Sequence, residues 1–396
     1  MLVRRNRGFS IFLVTQGASN LGDAVRNVAV PLFLLQLTHA PALAAALGAL
    51  EAVSMVALQL PAGALVDRWD RRRTLLLADV GRGLLTLAIP AVALAHGPVV
   101  PMLFASTAPL SALSALFGSG FASVTPSLVG REGVERAYAL TEAAESLAWV
   151  LGPVLAGLLV ATAGGPAALA VDGVSFLLSA LGLALIRVPP VARAAAERRA
   201  LWRGLLDGLR FLATHRVLWR AQLSWTLYGT IGYGVVLGLV YVGSRAGSAG
   251  GARLASLAVA AYAAGSLLGT LLAGWRRPPA PSLAVAGVLA ALAAGAALVA
   301  TGLGPGVLAG AGLFGLGEGY FAIVWMTARA EVTPDELMGR VTGVSGLLAQ
   351  AAGAIAVAWM GAALQLVGGP GAFTLLAALT LLLAAWIALA RPLPAS

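Results

Sequence analysis

Ionisable side chains are few in this sequence, and several stand inside long apolar runs. A charge held in hydrocarbon costs at least about 2.5–3.5 kcal/mol on insertion scales, so one retained there faces a cavity or a partner. Between positions 10 and 37, Gln16, Asn20, Asp23 and Asn27 recur at helical spacing and form one polar stripe. Arg26 follows Asp23 by three residues and is spaced to pair with it. Glu51 stands in the next apolar run. Glu318 lies in a later one, with Phe314, Phe321 and Trp325 on its face at steps of four, three and four. Two chemistries suit these residues. A membrane-embedded carboxyl can bind a proton on one side of a bilayer and release it on the other. A carboxylate among aromatic rings suits a lipophilic, cationic guest, through charge pairing, stacking and cation–π contact. Asp23, Arg26, Glu51 and Glu318 are therefore the candidates for proton coupling or substrate binding. Gln16, Asn20, Asn27, Trp225, Tyr228, Phe314, Phe321 and Trp325 are the candidates for lining a pathway. For the rings alone, packing is the plainer reading; Glu318 raises its stripe above it.

Other chemistries are excluded. The chain has no cysteine, hence no disulfide, thiolate metal site or cysteine nucleophile. It has no lysine, hence no Walker loop for ATP. Its three histidines, His39, His96 and His215, fall at loops or helix ends with no catalytic cluster near them. No enzyme activity, metal or other cofactor is expected.

The elements that must position these residues are transmembrane helices. Of the 396 residues, 59% are hydrophobic and 11% charged, where a soluble domain has about 25% charged. Apolar runs of about 20 residues, the length that crosses a bilayer, are expected near 10–37, 42–66, 74–95, 99–122, 137–163, 166–186, 217–243, 253–275, 281–301, 305–328, 341–367 and 370–390. These twelve spans divide the 26 arginines unevenly: with the N-terminus inside, 22 fall on the cytoplasmic side, Arg245 and Arg253 outside, and Arg26 and Arg82 within spans. The net charge of +10 thus reads as topology rather than as a nucleic-acid surface. Both termini are expected in the cytoplasm.

The only long polar stretch, with Pro189, Pro190 and an amphipathic run from Leu201 to Phe211, divides the spans six and six. The expected organisation is an N-terminal bundle at 1–187, a cytoplasmic linker at 188–216 and a C-terminal bundle at 217–396. Two matches support an internal repeat: Glu132 and Arg136 recur as Glu336 and Arg340 at an offset of 204, and Arg68 recurs as Arg276 at 208. Two parallel six-helix halves around a midplane site is an architecture of alternating access.

One loop carries a family resemblance. Gly63-Ala64-Leu65-Val66-Asp67-Arg68-Trp69-Asp70-Arg71-Arg72-Arg73 resembles the signature Gly-x-Leu-Ala-Asp-Arg-x-Gly-Arg-Arg-x of the major facilitator superfamily, with Asp70 in place of glycine. Asp67 suits the unpaired amides and positive dipole of a helix N-terminus; the resemblance implies that this helix opens near Val341. Arg71 and Arg72 are spaced to meet Asp79, Glu142 or Glu145. The expected cytoplasmic gate is then Asp67, Arg68, Arg71, Arg72, Asp79, Arg82, Arg136, Glu142, Glu145 and Arg340, the plainer reading of the arginines being topology anchors alone. Gly152-Pro153-Val154-Leu155-Ala156-Gly157 resembles the Gly-Pro-x-x-Gly-Gly signature of the superfamily's exporters. Gly152, Pro153 and Gly157 then belong to a kinked, closely packed gating helix. Gly22-Asp23 and the stretch from Asp172 to Ser179 resemble the branch of macrolide-efflux proteins and enterobactin exporters; Asp172 itself, near the outer start of its span, is spaced to be a helix cap.

The resemblance implies a monomeric secondary transporter of the inner membrane. The expected activity is export of amphipathic drugs by proton antiport, with a dedicated siderophore or metabolite exporter and a lysophospholipid flippase or facilitator as alternatives.

Overall fold

The structure is a computed structural model, which describes residues 6–66, 69–121, 128–129, 134–186, 208–245, 248–275 and 281–390. Asp67 and Arg68 lie outside these, as does most of the expected linker, and the side chains of Arg71, Arg136 and Glu142 are outside the description too.

Twelve helices of ten residues or more follow one another without a strand among the described residues: α1 (Arg7–Thr38), α2 (Pro41–Val66), α3 (Arg71–Leu94), α4 (Val99–Phe121), α5 (Val134–Ala163), α6 (Gly165–Leu185), α7 (Arg216–Gly232), α8 (Val235–Ser244), α9 (Ser248–Trp275), α10 (Pro281–Ala300), α11 (Gly304–Val332) and α12 (Asp335–Ala390). Local chemistry sets several boundaries. Asn6 accepts the Phe9 amide at 3.0 Å and caps α1; His215 Nδ1 accepts the Leu218 amide and caps α7.

Among the described residues, ten segments are long and apolar enough to cross a membrane. Helices and spans do not map one to one. Arg216–Ser244 is one span containing α7 and α8. Arg340–Ala390 is one apolar segment of 51 residues that α12 breaks at Gly368, whose φ of 69° needs glycine, so it holds two spans. The first helix, 32 residues long, has the length of a span but falls short in hydropathy, because its polar stripe is built into it. With these two, the described helices have room for the twelve spans expected.

The helices are apolar toward the outside. In α6, Val171, Val174, Leu178, Leu181 and Leu185 are all exposed, at helical spacing. Asp172, Ser175 and Ser179, on a neighbouring face, are buried. A water-soluble helix shows the reverse pattern; a stripe of bare leucine and valine is stable only against lipid. This is a multi-pass membrane protein.

The chain divides into two compact units, one of residues 1–39 and 50–194, the other of residues 40–49 and 195–396. In the first, α6 packs along both α1 and α3, α5 packs on α1 and α4 on α3. In the second, α9 packs along α11, and α10 lies against both α11 and α12. Both units carry the same glutamine device. Gln16 Nε2 donates to Asn20 Oδ1 and Gln222 Nε2 to Thr226 Oγ1, each one turn on and each at 3.1 Å. The two glutamines are 206 positions apart, between the two offsets seen in the loops.

Candidate functional site

In the first unit the structure gathers four charged side chains around Arg26. Its Nη2 donates to Glu51 Oε1 at 3.1 Å and lies 3.9 Å from Asp23 Oδ1, while its Nε is 3.4 Å from Asp172 Oδ2. Asp23 and Arg26 come from α1, Glu51 from α2 and Asp172 from α6. The Asp172 side chain has no exposure, whereas those of Asp23 and Glu51 are 34% and 40% exposed. One guanidinium thus spans three carboxyls, two at a surface and one sealed inside.

Asp172 is not a helix cap. It sits more than a full turn inside α6, whose N-cap is Gly164. Gly22 makes its approach to α1 feasible: a Cβ at Gly22 would lie 2.8 Å from Asp172 Oδ1 and would also strike Ser175. On the other flank of α1, a Cβ at Gly152 of α5 would lie 2.9 Å from the Ala24 carbonyl carbon. Glycine at both contacts brings α5 and α6 onto α1 at the level of Asp23. Gly152, Pro153 and Gly157 are all buried within α5. Asn27 is half-buried, and Gln16, 7% exposed, receives the Ser179 hydroxyl at 3.5 Å.

Asp79 and Arg82 form a second buried pair, within α3. The Arg82 guanidinium is sandwiched between Phe117 of α4 and Phe176 of α6, 4.2 and 4.3 Å from the ring centroids. The pair stands in the middle third of α3 rather than at its end.

In the second unit, Tyr262 of α9 donates to Glu318 Oε2 of α11 at 2.5 Å. This bond depends on close backbone approach: a Cβ at Gly315 would meet the Tyr262 carbonyl, and one at Gly319 the Ser266 carbonyl. The Tyr228 hydroxyl approaches the same carboxyl without closing a bond of good geometry. Trp225 stacks on Trp325 with centroids 4.9 Å apart and planes at 9°, and meets Phe321 edge-on at 5.2 Å. Tyr228 meets Phe321 at 5.6 Å, and Phe314 lies beside Tyr262. Trp225, Tyr228, Phe314, Phe321 and Trp325 are 7, 1, 1, 0 and 6% exposed. Their rings pack against one another. Arg329 lies over Trp325 at 4.5 Å and extends the stripe by one turn.

Residues 12–304 match the family description Major Facilitator Superfamily. The chain belongs to the Major Facilitator Superfamily. It is 32% identical over 224 residues to the multidrug efflux pump Tap of Mycobacterium tuberculosis, a match covering 54% of this chain and 53% of Tap, so the chain spans about half the length of that relative. It is 26% identical over 350 residues to the enterobactin exporter EntS of Shigella boydii, covering 87% of this chain and 82% of EntS. The fold superposes on the nucleoside transporter NupG with a TM-score of 0.78 at 12% identity, covering 96% and 99% of the two chains. A bacterial homologue of the lysosomal transporter Spinster gives 0.70 at 14%, covering 97% and 96%.

The superfamily loop has its own local structure here. Asp70, where the signature has glycine, is extended at φ −61°, ψ 114° and accepts the Arg73 amide at 2.8 Å as the N-cap of α3. The position needs no glycine, and aspartate caps more strongly. Arg72 meets none of the expected carboxylates among the described residues. Its Nε and Nη2 donate to the Leu183 and Ala184 carbonyls at 3.1 and 2.5 Å, closing the C-terminal end of α6. Glu145 and Arg340 each engage a partner. The Arg340 main chain lies against Gly208, and α12 opens at Asp335, six residues before the expected start.

Proposed function

We propose that this transporter exports amphipathic small molecules by alternating access, with protons moving inward in exchange. The observation that supports this reading is the Arg26 cluster. One guanidinium facing three carboxyls leaves acidic groups in excess, and Asp23 is exposed enough to exchange a proton. Arg26 is the switch: a guest that draws it from Glu51 changes the charge every other member feels. Glu318, with Tyr262 and the rings beside it, suits the cationic end of a guest. Tap being named a multidrug efflux pump agrees with this breadth. EntS, matched over more of the chain, favours as second reading a dedicated siderophore exporter in which Arg26 meets an anionic group.

The wider frame is proposed with it: a monomer in the cytoplasmic membrane with both termini inside, bundles at 1–187 and 217–396 joined by the linker 188–216, and α5 with Gly152, Pro153 and Gly157 as a gating helix. The test is the purified chain in liposomes with a trapped pH-sensitive dye, challenged with lipophilic cations, macrolides, catechol siderophores and lysophospholipids. Substrate-driven proton movement lost in Asp23→Asn or Glu318→Gln supports antiport. Passage of substrate with no proton signal, unchanged in both variants, rules it out and favours a facilitator or flippase.

A further inference from the structure

The α1–α3–α6 contact of the first unit holds more polar atoms than the Arg26 cluster uses. The register is antiparallel and can be followed residue by residue: Gly22 meets Ser175 and Asp172, the Gln16 amide meets Ser179, and Thr15 meets Gly182. On the α3 side, Gly83 meets Leu177 and Gly173. Asp79 then falls beside Ser179, whose hydroxyl faces both that carboxylate and the Gln16 amide. Thr86, two turns on from Asp79, lies toward the Asp172 level. A polar seam therefore runs along α6 from Asp172 to Ser179, about 10 Å at the helical rise.

The seam is buried and its atoms are underused. Ser19, Asp79, Thr86, Asp172 and Ser179 are each 1% exposed or less. Ser19 Oγ, Thr86 Oγ1, Asp79 Oδ2 and both carboxylate oxygens of Asp172 have no hydrogen-bond partner among the described residues. Buried polar atoms are nearly always satisfied by protein or by ordered water, so unpaired oxygens strung between two carboxyls mark a place that water bridges. An apolar layer of Phe9, Phe12, Leu75, Phe117 and Leu183 closes the seam at the end where α1 and α3 begin. The other end reaches the half-exposed Asp23 and Glu51.

We infer that this seam is a buried proton relay, in which a proton on the Asp172 carboxyl passes through hydroxyls and bridging water to the Asp79 carboxylate. The inference rests on the antiport reading and gives the proton its own route, apart from the guest. Arg82, clamped between two phenyl rings, holds the receiving carboxylate in place. The charged groups that act on Asp79 are Arg82 on its own helix and Asp23 on α1; α4 carries no ionisable residue. The apolar layer prevents leak until a conformational change parts it.

The test uses the full chain in bilayer vesicles and infrared absorption of protonated carboxyls after an acid pulse, which needs no substrate. A carboxyl band missing from Asp79→Asn belongs to Asp79. The expected result is that this band appears about tenfold or more slowly in Asp172→Asn and in Ser179→Ala, which leaves both charges in place. Asp79→Asn with Arg82→Gln removes the pair together and serves if the single variant fails to fold. No band assignable to Asp79, or a band that rises at the wild-type rate in both slowed variants, overturns the relay. Substrate-driven proton movement is measured separately, so a failed relay with intact antiport is distinguishable from a failed antiport.

Discussion

Arg26 Nε lies 3.4 Å from Asp172 Oδ2, and the Asp172 carboxylate, with no exposure, accepts no hydrogen bond among the described residues. The contact is an ion pair held by position rather than by donor geometry. Removing one partner of a buried pair costs about 3–5 kcal/mol, because the other is left uncompensated. Arg26→Gln is therefore expected to lower the melting temperature of the detergent-solubilised protein sharply. Arg26→Gln with Asp172→Asn recovers most of that loss yet still fails to transport. Equal melting temperatures for the single and double variants would show that the pair is not coupled.

Gly22 sets the distance between those two residues. Alanine there places a carbon 2.8 Å from Asp172 Oδ1, and overpacking of this kind costs about 1–3 kcal/mol. Gly22→Ala is expected to destabilise the protein in a thermal melt and to reduce transport, and Gly22→Leu to prevent folding. Wild-type melting of Gly22→Ala would mean that α1 and α6 are not in this close contact.

The fold was legible in the sequence because hydropathy and arginine placement are local signals. So was the Asp23–Arg26 spacing, which the geometry keeps at 3.9 Å. Asp172 was not, since its partner is 146 positions away and its place near the start of an apolar run resembles a cap. A signal did exist: Asp172, Ser175 and Ser179 repeat on one face of α6, beside the stripe of Val171, Val174, Leu178 and Leu181. Tyr262 had none, being one tyrosine in an alanine-rich helix whose bond to Glu318 is set by glycines on another. The Gln16–Gln222 repeat was readable at an offset between the two already noticed. The partner of Arg72 was not, because charge places an arginine on one side of a membrane without saying which acceptor it finds there.

Glu318 and Tyr262 separate the proposed guest chemistry from packing. If the carboxylate receives a cation, Glu318→Gln weakens binding of tetraphenylphosphonium by about 10-fold or more, since close charge pairs at a binding surface are worth about 1.5–7 kcal/mol, and leaves a neutral macrolide unchanged. Tyr262→Phe removes the 2.5 Å donor without moving the ring, and is expected to have a smaller effect on the same cation. Fluorescence or calorimetric titration of the purified protein reads both. Equal losses for charged and neutral guests would make Glu318 a structural residue.

Arg72 tests what the superfamily loop does in this chain. The last carbonyls of a helix lack internal partners and carry the negative end of its dipole, and the Arg72 guanidinium reaches two of them at the end of α6 with its planar fork. Hydrogen bonds to a charged group contribute about 1.5–3 kcal/mol each, less where water competes. Arg72→Ala is expected to lower the melting temperature while substrate binding is retained. Arg72→Lys recovers only part of the loss, because an ammonium group cannot present two parallel donors at this spacing. If the residue instead served as a charge lock against a carboxylate, lysine would restore stability fully. The contrast between the two variants in one thermal melt decides whether the arginine acts by shape or by charge.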